Sequence, residues 1–363
     1  MSDAARRSSR DLRVPRRRNG PAPHDGGPVL ALDLGATQMR ACLVDSAGAV
    51  SHRRDRPTKP DRGPDAVRAD AIELLRSVLD ELTPERRRDL VGVGVSAPGP
   101  LDPSTGVLIE PPNMGLGFRD QPLGEPVSAA LRLPVVVERD THVAALGEQA
   151  FGAGRGVSDF VYLTLSTGVG GAIVTDGRLL TGPDGVAGEI GHLPVLLDGP
   201  LCGCGARGHL EALASGVGIA RAGREAALDG SSPALARRSR EVGPETIDAR
   251  AVAEAAAAGD EQAGRIMDRA RQAFGAAAVG LVNVLNPERI IVGGGIAETH
   301  GADWLAYARA EVERLAFRIP GARVRIVPAE LGADVSLVGA APLVAQSGRG
   351  RTPRALSALL ATT

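Results

Sequence analysis

The stretch from residue 188 to residue 216 brings thiols, imidazoles and carboxylates together in a glycine-rich segment. Its four candidate metal ligands are His192, Cys202, Cys204 and His209. Two thiolates and two imidazoles form a ligand set that tetrahedral zinc accepts. We therefore predict a zinc site, and because the protein supplies all four ligands, we expect the metal to be structural. In the simpler alternative, the cysteines are small core residues and the histidines are surface polar groups.

Two carboxylates, Glu189 and Glu211, flank these ligands. Carboxylate oxygens are poor additional ligands beside such soft donors, so we expect both side chains to face a different ligand. A polyhydroxylated molecule fits them, because carboxylates accept hydrogen bonds from hydroxyl groups. His192 could serve both sites, since a zinc-bound histidine has a second ring nitrogen free to donate. The segment therefore predicts a sugar-like ligand beside a metal-braced loop.

Two glycine turns occur in matching contexts. A strand, turn and strand pattern around residues 33–37 recurs around residues 166–171, which predicts two related lobes that each open with a hairpin. Backbone N–H groups in such turns bind anions without any lysine. If both turns face one cleft, they would hold a polyphosphate from opposite sides. The alternative for each turn alone is an ordinary hairpin connection.

Other segments supply further candidates. Apolar spacing predicts a helix over residues 64–90, and Asn113 follows a short strand on an irregular loop. Asp140 stands where the strand Val135–Glu138 gives way, through a turn, to a helix, so it is a candidate catalyst and also a candidate N-cap. A buried strand runs into the glycines at 293–295, a common nucleotide-contact geometry that is weak evidence by itself.

Composition excludes several classes of function. The net charge of −1 argues against a nucleic-acid or membrane-surface partner, and 2% aromatic residues leave ligand recognition to hydrogen bonds. Three cysteines make no disulfide framework, and no apolar run suits a signal or membrane span, so we expect a cytoplasmic protein. The only lysine, Lys59, precedes Pro60, which excludes a Walker A loop and disfavours Schiff-base chemistry.

Chain length suggests two lobes, because 363 residues exceed the size that a single core usually reaches. We expect a disordered arginine-rich tail at residues 1–27 and a small lobe at residues 28–140. A large lobe with the zinc loop follows at residues 141–338. A C-terminal helix at about residues 339–362 should pack back on the small lobe.

Taken together, the motifs are similar to those of the ROK family of bacterial sugar kinases and sugar-responsive repressors, over about residues 29–345. The motifs that carry the resemblance are DLGAT at 33–37, SAPGP at 96–100, the Asp140 turn, STGVGG at 166–171, GEIGH at 188–192, CGCGARGHLE at 202–211 and VGGG at 292–295. The resemblance implies an α/β fold of two actin-like, ribonuclease-H-like lobes with a nucleotide and sugar cleft between them. It also suggests a homodimer or homotetramer.

The resemblance also implies roles for individual residues. Asp140 matches the catalytic base, and Asp33 matches a carboxylate near Mg²⁺. The positions that match nucleotide contacts are Asp33, Gly35, Thr37, Thr167, Gly168, Gly170, Gly294 and Gly295. The positions assigned to the sugar are Asn113, Arg139, Glu189, His192 and Glu211. The zinc ligands His192, Cys202 and Cys204 match directly.

Three positions depart from the family pattern: His209 replaces a third cysteine, Arg139 replaces an asparagine that contacts the sugar, and His142 replaces a second asparagine. The implied activity is an ATP-dependent hexose kinase, with glucose to glucose 6-phosphate as the first candidate reaction. ATP or polyphosphate could be the donor. The alternatives are a kinase for an N-acetylated amino sugar or cyclitol, and a non-catalytic sugar-responsive regulator. Regulators in the family carry a winged helix-turn-helix before the first motif, where this chain has only the arginine-rich tail.

Overall fold

A computed structural model describes residues 26–347 of the chain. Its strands, in chain order, are β1 (Val29–Leu34), β2 (Gln38–Val44), β3 (Val50–Pro57), β4 (Gly92–Ala97), β5 (Leu101–Asp102), β6 (Val107–Leu108), β7 (Gln121–Pro122), β8 (Val135–Arg139), β9 (Phe160–Leu165), β10 (Val169–Thr175), β11 (Arg178–Leu179), β12 (Arg289–Gly293) and β13 (Arg325–Pro328). Its helices are α1 (Pro64–Asp80), α2 (Pro84–Asp89), α3 (Gly124–Leu131), α4 (Asp140–Phe151), α5 (Leu210–Ala214), α6 (Gly216–Leu228), α7 (Pro233–Val242), α8 (Ala249–Ala257), α9 (Glu261–Leu285), α10 (Gly295–Leu315), α11 (Arg318–Arg323), α12 (Val335–Val338) and α13 (Ala340–Ser347).

Two five-stranded sheets share one topology. The first has the strand order β3-β2-β1-β4-β8 and the second has the order β11-β10-β9-β12-β13. In each, the three strands of a meander pair antiparallel and the last two strands join in parallel. The repeat predicted from the two hairpin patterns is confirmed, and with it the two-lobed actin-like fold.

Helices cover both faces of each sheet. In the first lobe, α1 packs on β1, β2 and β3, while α13 packs on β1, β4 and β8. In the second lobe, an apolar core lies between the sheet and the long helices α9 and α10, which bury Phe274 and Trp304. Strands β1, β4 and β9, which lie inside the sheets, are almost wholly buried, because both of their faces are covered.

Helix α4 lies between the two sheets. Ala144 and Ala145 pack against the second sheet, while Val143 and Leu146 contact α13 beside the first sheet. The approach to the junction of α12 and α13 is close: a Cβ atom on Gly339 would lie 2.0 Å from the carbonyl oxygen of Val143. Because α4 is held on both sides, its N-terminus has a fixed position in the cleft.

Two local predictions are wrong. The helix predicted over residues 64–90 is broken, because Thr83 caps a new helix through the N–H of Arg86 (3.4 Å) and Pro84 occupies its first turn. The turn expected between the strand and Asp140 is absent, since β8 ends at Arg139 and α4 begins at the next residue. Arg139 is therefore the N-cap, and the interpretation of Asp140 as an N-cap is also wrong.

The chain ends lie mostly outside the described residues. Of the predicted tail only residues 26 and 27 are described, and of the predicted helix at 339–362 the part that is described forms α13. The lobe boundaries at 140 and 338 stay predictions. Within residues 26–347, none of the helices combines the length and apolar character that crossing a membrane requires.

Candidate active site

Asp140 lies at the first position of α4, in the cleft between the lobes. Its Oδ1 accepts a hydrogen bond from the N–H of Thr141 at 2.7 Å, and the helix N-terminus favours a negative charge there. The carboxylate reaches the solvent of the open cleft, although protein surrounds it on the other sides. That burial raises the pKa of Asp140, and the nearby Asp33 carboxylate raises it further. A carboxylate with a raised pKa suits a general base.

Asp33 is fixed by two side chains that sequence reasoning missed. Ser96 Oγ donates to its Oδ1 at 2.9 Å, while Arg40 donates to its Oδ2 from Nη2 at 2.7 Å and from Nε at 3.1 Å. Strand register explains both contacts, because Asp33 pairs with Arg40 across β1 and β2 and with Ser96 across β1 and β4. The register of the β1–β2 hairpin places Arg40 opposite Asp33, and this register is the signal that could have predicted the contact.

The first turn, residues 33–37, is closed by its own backbone. Gly35 N–H donates to the Gln38 carbonyl at 3.0 Å, and Thr58 Oγ1 donates to the Gly35 carbonyl at 2.6 Å. The hydroxyl-bearing Thr37 is exposed. The turn therefore holds Gly35 in place and leaves Thr37 exposed at its end.

The second turn, residues 166–171, touches the start of α4. A Cβ atom on Gly170 would lie 2.6 Å from Cγ2 of Thr141, and one on Gly168 would lie 2.8 Å from a carboxylate oxygen of Glu211. Only glycine permits approaches this close. The second turn is thus adjacent to Asp140.

A cavity of about 380 Å³ opens beside the second turn. It is lined by Ser166, Thr167, Gly216, Val217, Ala220, Arg224, Asp248, Ala249, Arg250, Gly295 and Ile296. Gly294 makes the approach of α10 possible: its φ is 93°, and a Cβ atom there would lie 2.4 Å from the Leu165 carbonyl oxygen. The cavity brings the predicted nucleotide contacts Thr167 and Gly295 together, and the polar residues Arg224, Asp248 and Arg250 lay outside the sequence prediction.

The four predicted zinc ligands meet at one point. Their ligand atoms all lie within 4.8 Å of one another. His192 Nδ1 is 3.3 Å from His209 Nδ1 and 3.9 Å from Cys202 Sγ, and Cys204 Sγ is 3.4 Å from His209 Nδ1. Zinc bonds of about 2.0–2.3 Å give tetrahedral edges of about 3.3–3.8 Å. The donor set is one that tetrahedral zinc accepts, and the contacts of 3.3–3.9 Å lie close to these edge lengths.

The remaining candidates are Glu211 and Glu189, which lie beside the predicted zinc ligands, and Asn113. Glu211 links the metal loop to the second turn: one carboxylate oxygen accepts from the Val169 N–H at 3.0 Å, and the other lies 3.7 Å from Cys202 Sγ. Glu189 is half-exposed, 4.0 Å from His192 Nε2, so His192 directs one ring nitrogen to the metal ligands and the other toward Glu189. Asn113 lies on an exposed turn.

The chain matches the ROK family over residues 29–347. It is 35% identical over 322 residues to a glucokinase of Halalkalibacterium halodurans, covering 87% of this chain and 94% of the relative. It is 37% identical over 328 residues to the bifunctional enzyme NanE/NanK of Brucella suis, covering 89% of this chain and 54% of that protein. Among solved structures, a ROK family glucokinase from Streptomyces griseus in complex with glucose and AMPPNP has a TM-score of 0.71 at 31% identity, covering 87% of this chain and 99% of that one.

Proposed function

This chain belongs to the ROK family, and we propose that it is an ATP-dependent kinase that phosphorylates a hydroxyl group of a hexose, with glucose as the first candidate. The similarity to glucokinases over most of both chains supports the reaction class. The observation that carries the proposal is the position of Asp140. Its carboxylate lies at the N-terminus of α4, where the second glycine turn touches the same helix end.

In the proposed reaction, the acceptor hydroxyl attacks the γ-phosphorus of ATP in line with the departing ADP. The new bond joins the sugar oxygen to phosphorus, the bond from phosphorus to the β,γ-bridging oxygen breaks, and the hydroxyl proton passes to Asp140. Little covalent work is left to the protein, so positioning and charge stabilisation account for most of the catalysis.

The two turns would hold the phosphates through backbone N–H groups, and the cavity beside Thr167 and Gly295 would take the nucleoside. Asp33, fixed by Arg40 and Ser96, is the carboxylate available for Mg²⁺. When bound, Mg²⁺ would supply positive charge for the phosphate oxygens. Closure of the lobes would exclude water that otherwise accepts the phosphoryl group.

We further propose that His192, Cys202, Cys204 and His209 hold a structural zinc ion. Support comes from the convergence of their ligand atoms, which all lie within 4.8 Å of one another. Through this loop, the metal would keep His192 and Glu189 in place beside the cleft. Glu211 would hold the same loop to the second turn through Val169.

A second candidate is a kinase for an N-acetylated amino sugar. The 34% identity over 321 residues to an N-acetylmannosamine kinase of Citrobacter koseri supports it. Arg139 is consistent with a sugar other than glucose, because it occupies a position where most kinases of the family carry a sugar-contacting asparagine.

A coupled ADP-release assay over a panel of hexoses, N-acetylhexosamines and cyclitols tests the proposal. We expect sugar-dependent ADP release with Mg²⁺ and ATP, fastest with glucose. Preference for N-acetylmannosamine would favour the second candidate. If no sugar stimulates ADP release although calorimetry detects sugar binding, the proposed kinase function is wrong and a sugar-responsive regulator is favoured.

A further inference from the structure

The two departures from the family pattern beside Asp140 converge on one carbonyl group. Arg139 Nη1 donates to the carbonyl oxygen of Ala187 at 3.3 Å, and His142 Nε2 lies 3.2 Å from the same oxygen. Arg139 Nη2 also donates to Glu189 Oε1 at 2.6 Å. The end of β8 and the first turn of α4 are therefore joined to the segment that carries Glu189.

The contacts require a specific protonation pattern. His142 is fully buried, and its Nδ1 lies 3.1 Å from Glu138 Oε1. The carbonyl of Ala187 can only accept, so Nε2 must carry a proton. At the other end of the ring, Nδ1 contacts the Glu138 carboxyl group. The imidazole is thus oriented from both ends, as a buried polar group needs to be.

Arg139 is equally constrained. Its side chain is 5% exposed, and its stem packs on Gly99, where a Cβ atom would lie 3.1 Å from Nε and 3.2 Å from both Cγ and Cδ. A buried arginine is stable only when paired, and Glu189 supplies the opposite charge. The guanidinium therefore points to residues 187–189 and is not free to read a sugar hydroxyl in the way an asparagine would.

We propose that Arg139 and His142 act together as positioning residues for the sugar site, and we call the unit of Glu138, Arg139, His142, Ala187 and Glu189 the Arg139 latch. The latch fixes Glu189 relative to the strand and helix that present Asp140. With Glu189 Oε1 held by Arg139, the carboxylate offers its Oε2 side to the sugar. The acceptor site is thus preformed, and the latch acts on sugar binding. This inference rests on the proposed function.

The test uses Arg139→Asn, His142→Asn and the double variant, which restore the family residues. We measure KM for sugar and for ATP, kcat, and the sugar Kd by calorimetry. Each single change should raise the sugar KM and Kd about tenfold, while kcat and the ATP KM stay within about twofold. Because both residues act on Ala187, the double variant should lose little more than the worse single variant. Arg139→Lys, which keeps the charge without the planar fork, should fall between wild type and Arg139→Asn.

The matched control is Arg88→Asn, which removes an arginine from an exposed ion pair with Glu85 and should change none of these constants. Three results would overturn the Arg139 latch. They are fully additive effects of Arg139→Asn and His142→Asn, an unchanged sugar Kd, and equal losses in kcat and in both KM values. Because the sugar Kd is measured without ATP, a wild type that binds sugar but does not phosphorylate it would refute the kinase proposal while still testing the latch. Failure of every sugar to bind would refute both.

Discussion

Among single residues, the role proposed for Asp140 is the most demanding, since a general base must bind a proton during the reaction and be ionised before it. Its environment meets both needs. The helix N-terminus and the Thr141 N–H stabilise the carboxylate, while burial and the Asp33 carboxylate oppose its ionisation. The balance raises the pKa of Asp140 above that of an ordinary aspartate.

Replacing Asp140 by Asn should lower kcat by about 10²–10⁴-fold, the usual range for loss of a general base. The amide keeps the shape of the side chain, so the sugar Kd should change by less than about threefold. ADP release and calorimetry measure the two effects separately. Turnover near the wild-type value would remove Asp140 as the base.

The rate should also depend on pH in a defined direction. A protonated Asp140 accepts no proton, so kcat/KM should fall as pH falls through its pKa. Because burial raises that pKa above the ordinary 3.8, the fall should begin at a higher pH than for an unperturbed aspartate. A pH profile under conditions where the wild type stays folded measures it. An acid limb at or below the ordinary aspartate range would contradict this account of the site.

His209 provides the sharpest test of the metal site, because it replaces a cysteine found in the family. His209→Ala should lower zinc content below one equivalent and reduce thermal stability, whereas His209→Cys should retain the metal. His300→Ala, a change outside the cluster, serves as the control. Metal analysis that finds no zinc in the wild type, or stability unaffected by chelation, would reject the site.

The candidate residues were largely predictable where chemistry is local. The four candidate metal ligands lie within one short segment, and spacing alone grouped them. Arg40 was not predictable in this way, since its role depends on the strand register that places it opposite Asp33. The roles of Arg139 and His142 depend on Ala187, which is distant in sequence and close only after the lobes fold.

At the level of secondary structure, α4 determines the geometry of the site. It contacts both sheets, and at its far end the buried Glu148 accepts hydrogen bonds from the N–H groups of Ala153 (2.7 Å), Glu330 (3.0 Å) and Leu331 (3.0 Å). This carboxylate joins the helix to the chain segment that leads from β13 to α12. The position of Asp140 therefore depends on contacts at both ends of the helix.

Glu148→Ala should lower the free energy of unfolding by about 3 kcal/mol or more, because it leaves three N–H groups without their acceptor. Glu148→Gln keeps one acceptor oxygen and should be less damaging. Glu85→Ala, at an exposed position, is the control and should change stability by less than about 0.5 kcal/mol. Denaturant unfolding provides the measurement, and an equal effect of Glu148→Ala and Glu85→Ala would contradict this role.

Secondary structure was predicted best where apolar pattern and turn chemistry agree. The two meanders emerged from alternating apolar residues and glycine turns. The predicted long helix was wrong because it ran to residue 90 although its apolar spacing ends at Leu82; the capping hydroxyl of Thr83 and the ring of Pro84 start a new helix there. Backbone chemistry at these two positions sets the helix boundary.

For the whole molecule, the repeated sheet explains why one cleft can bind two substrates. Each lobe contributes a glycine turn at the end of its first hairpin strand, and α4 connects the two. The sequence predicted the repeat because both hairpins retain the same pattern. It did not predict how the lobes contact each other, which rests on close packing at glycines such as Gly339. The homodimer or homotetramer stays a prediction.

A crystal structure with glucose and a non-hydrolysable ATP analogue bound together tests the central claim most directly. We expect an Asp140 carboxylate oxygen about 2.6–3.2 Å from one sugar hydroxyl, with that hydroxyl oxygen about 3–3.5 Å from the γ-phosphorus. A ternary complex in which Asp140 contacts no sugar oxygen, directly or through one water, would contradict the claim.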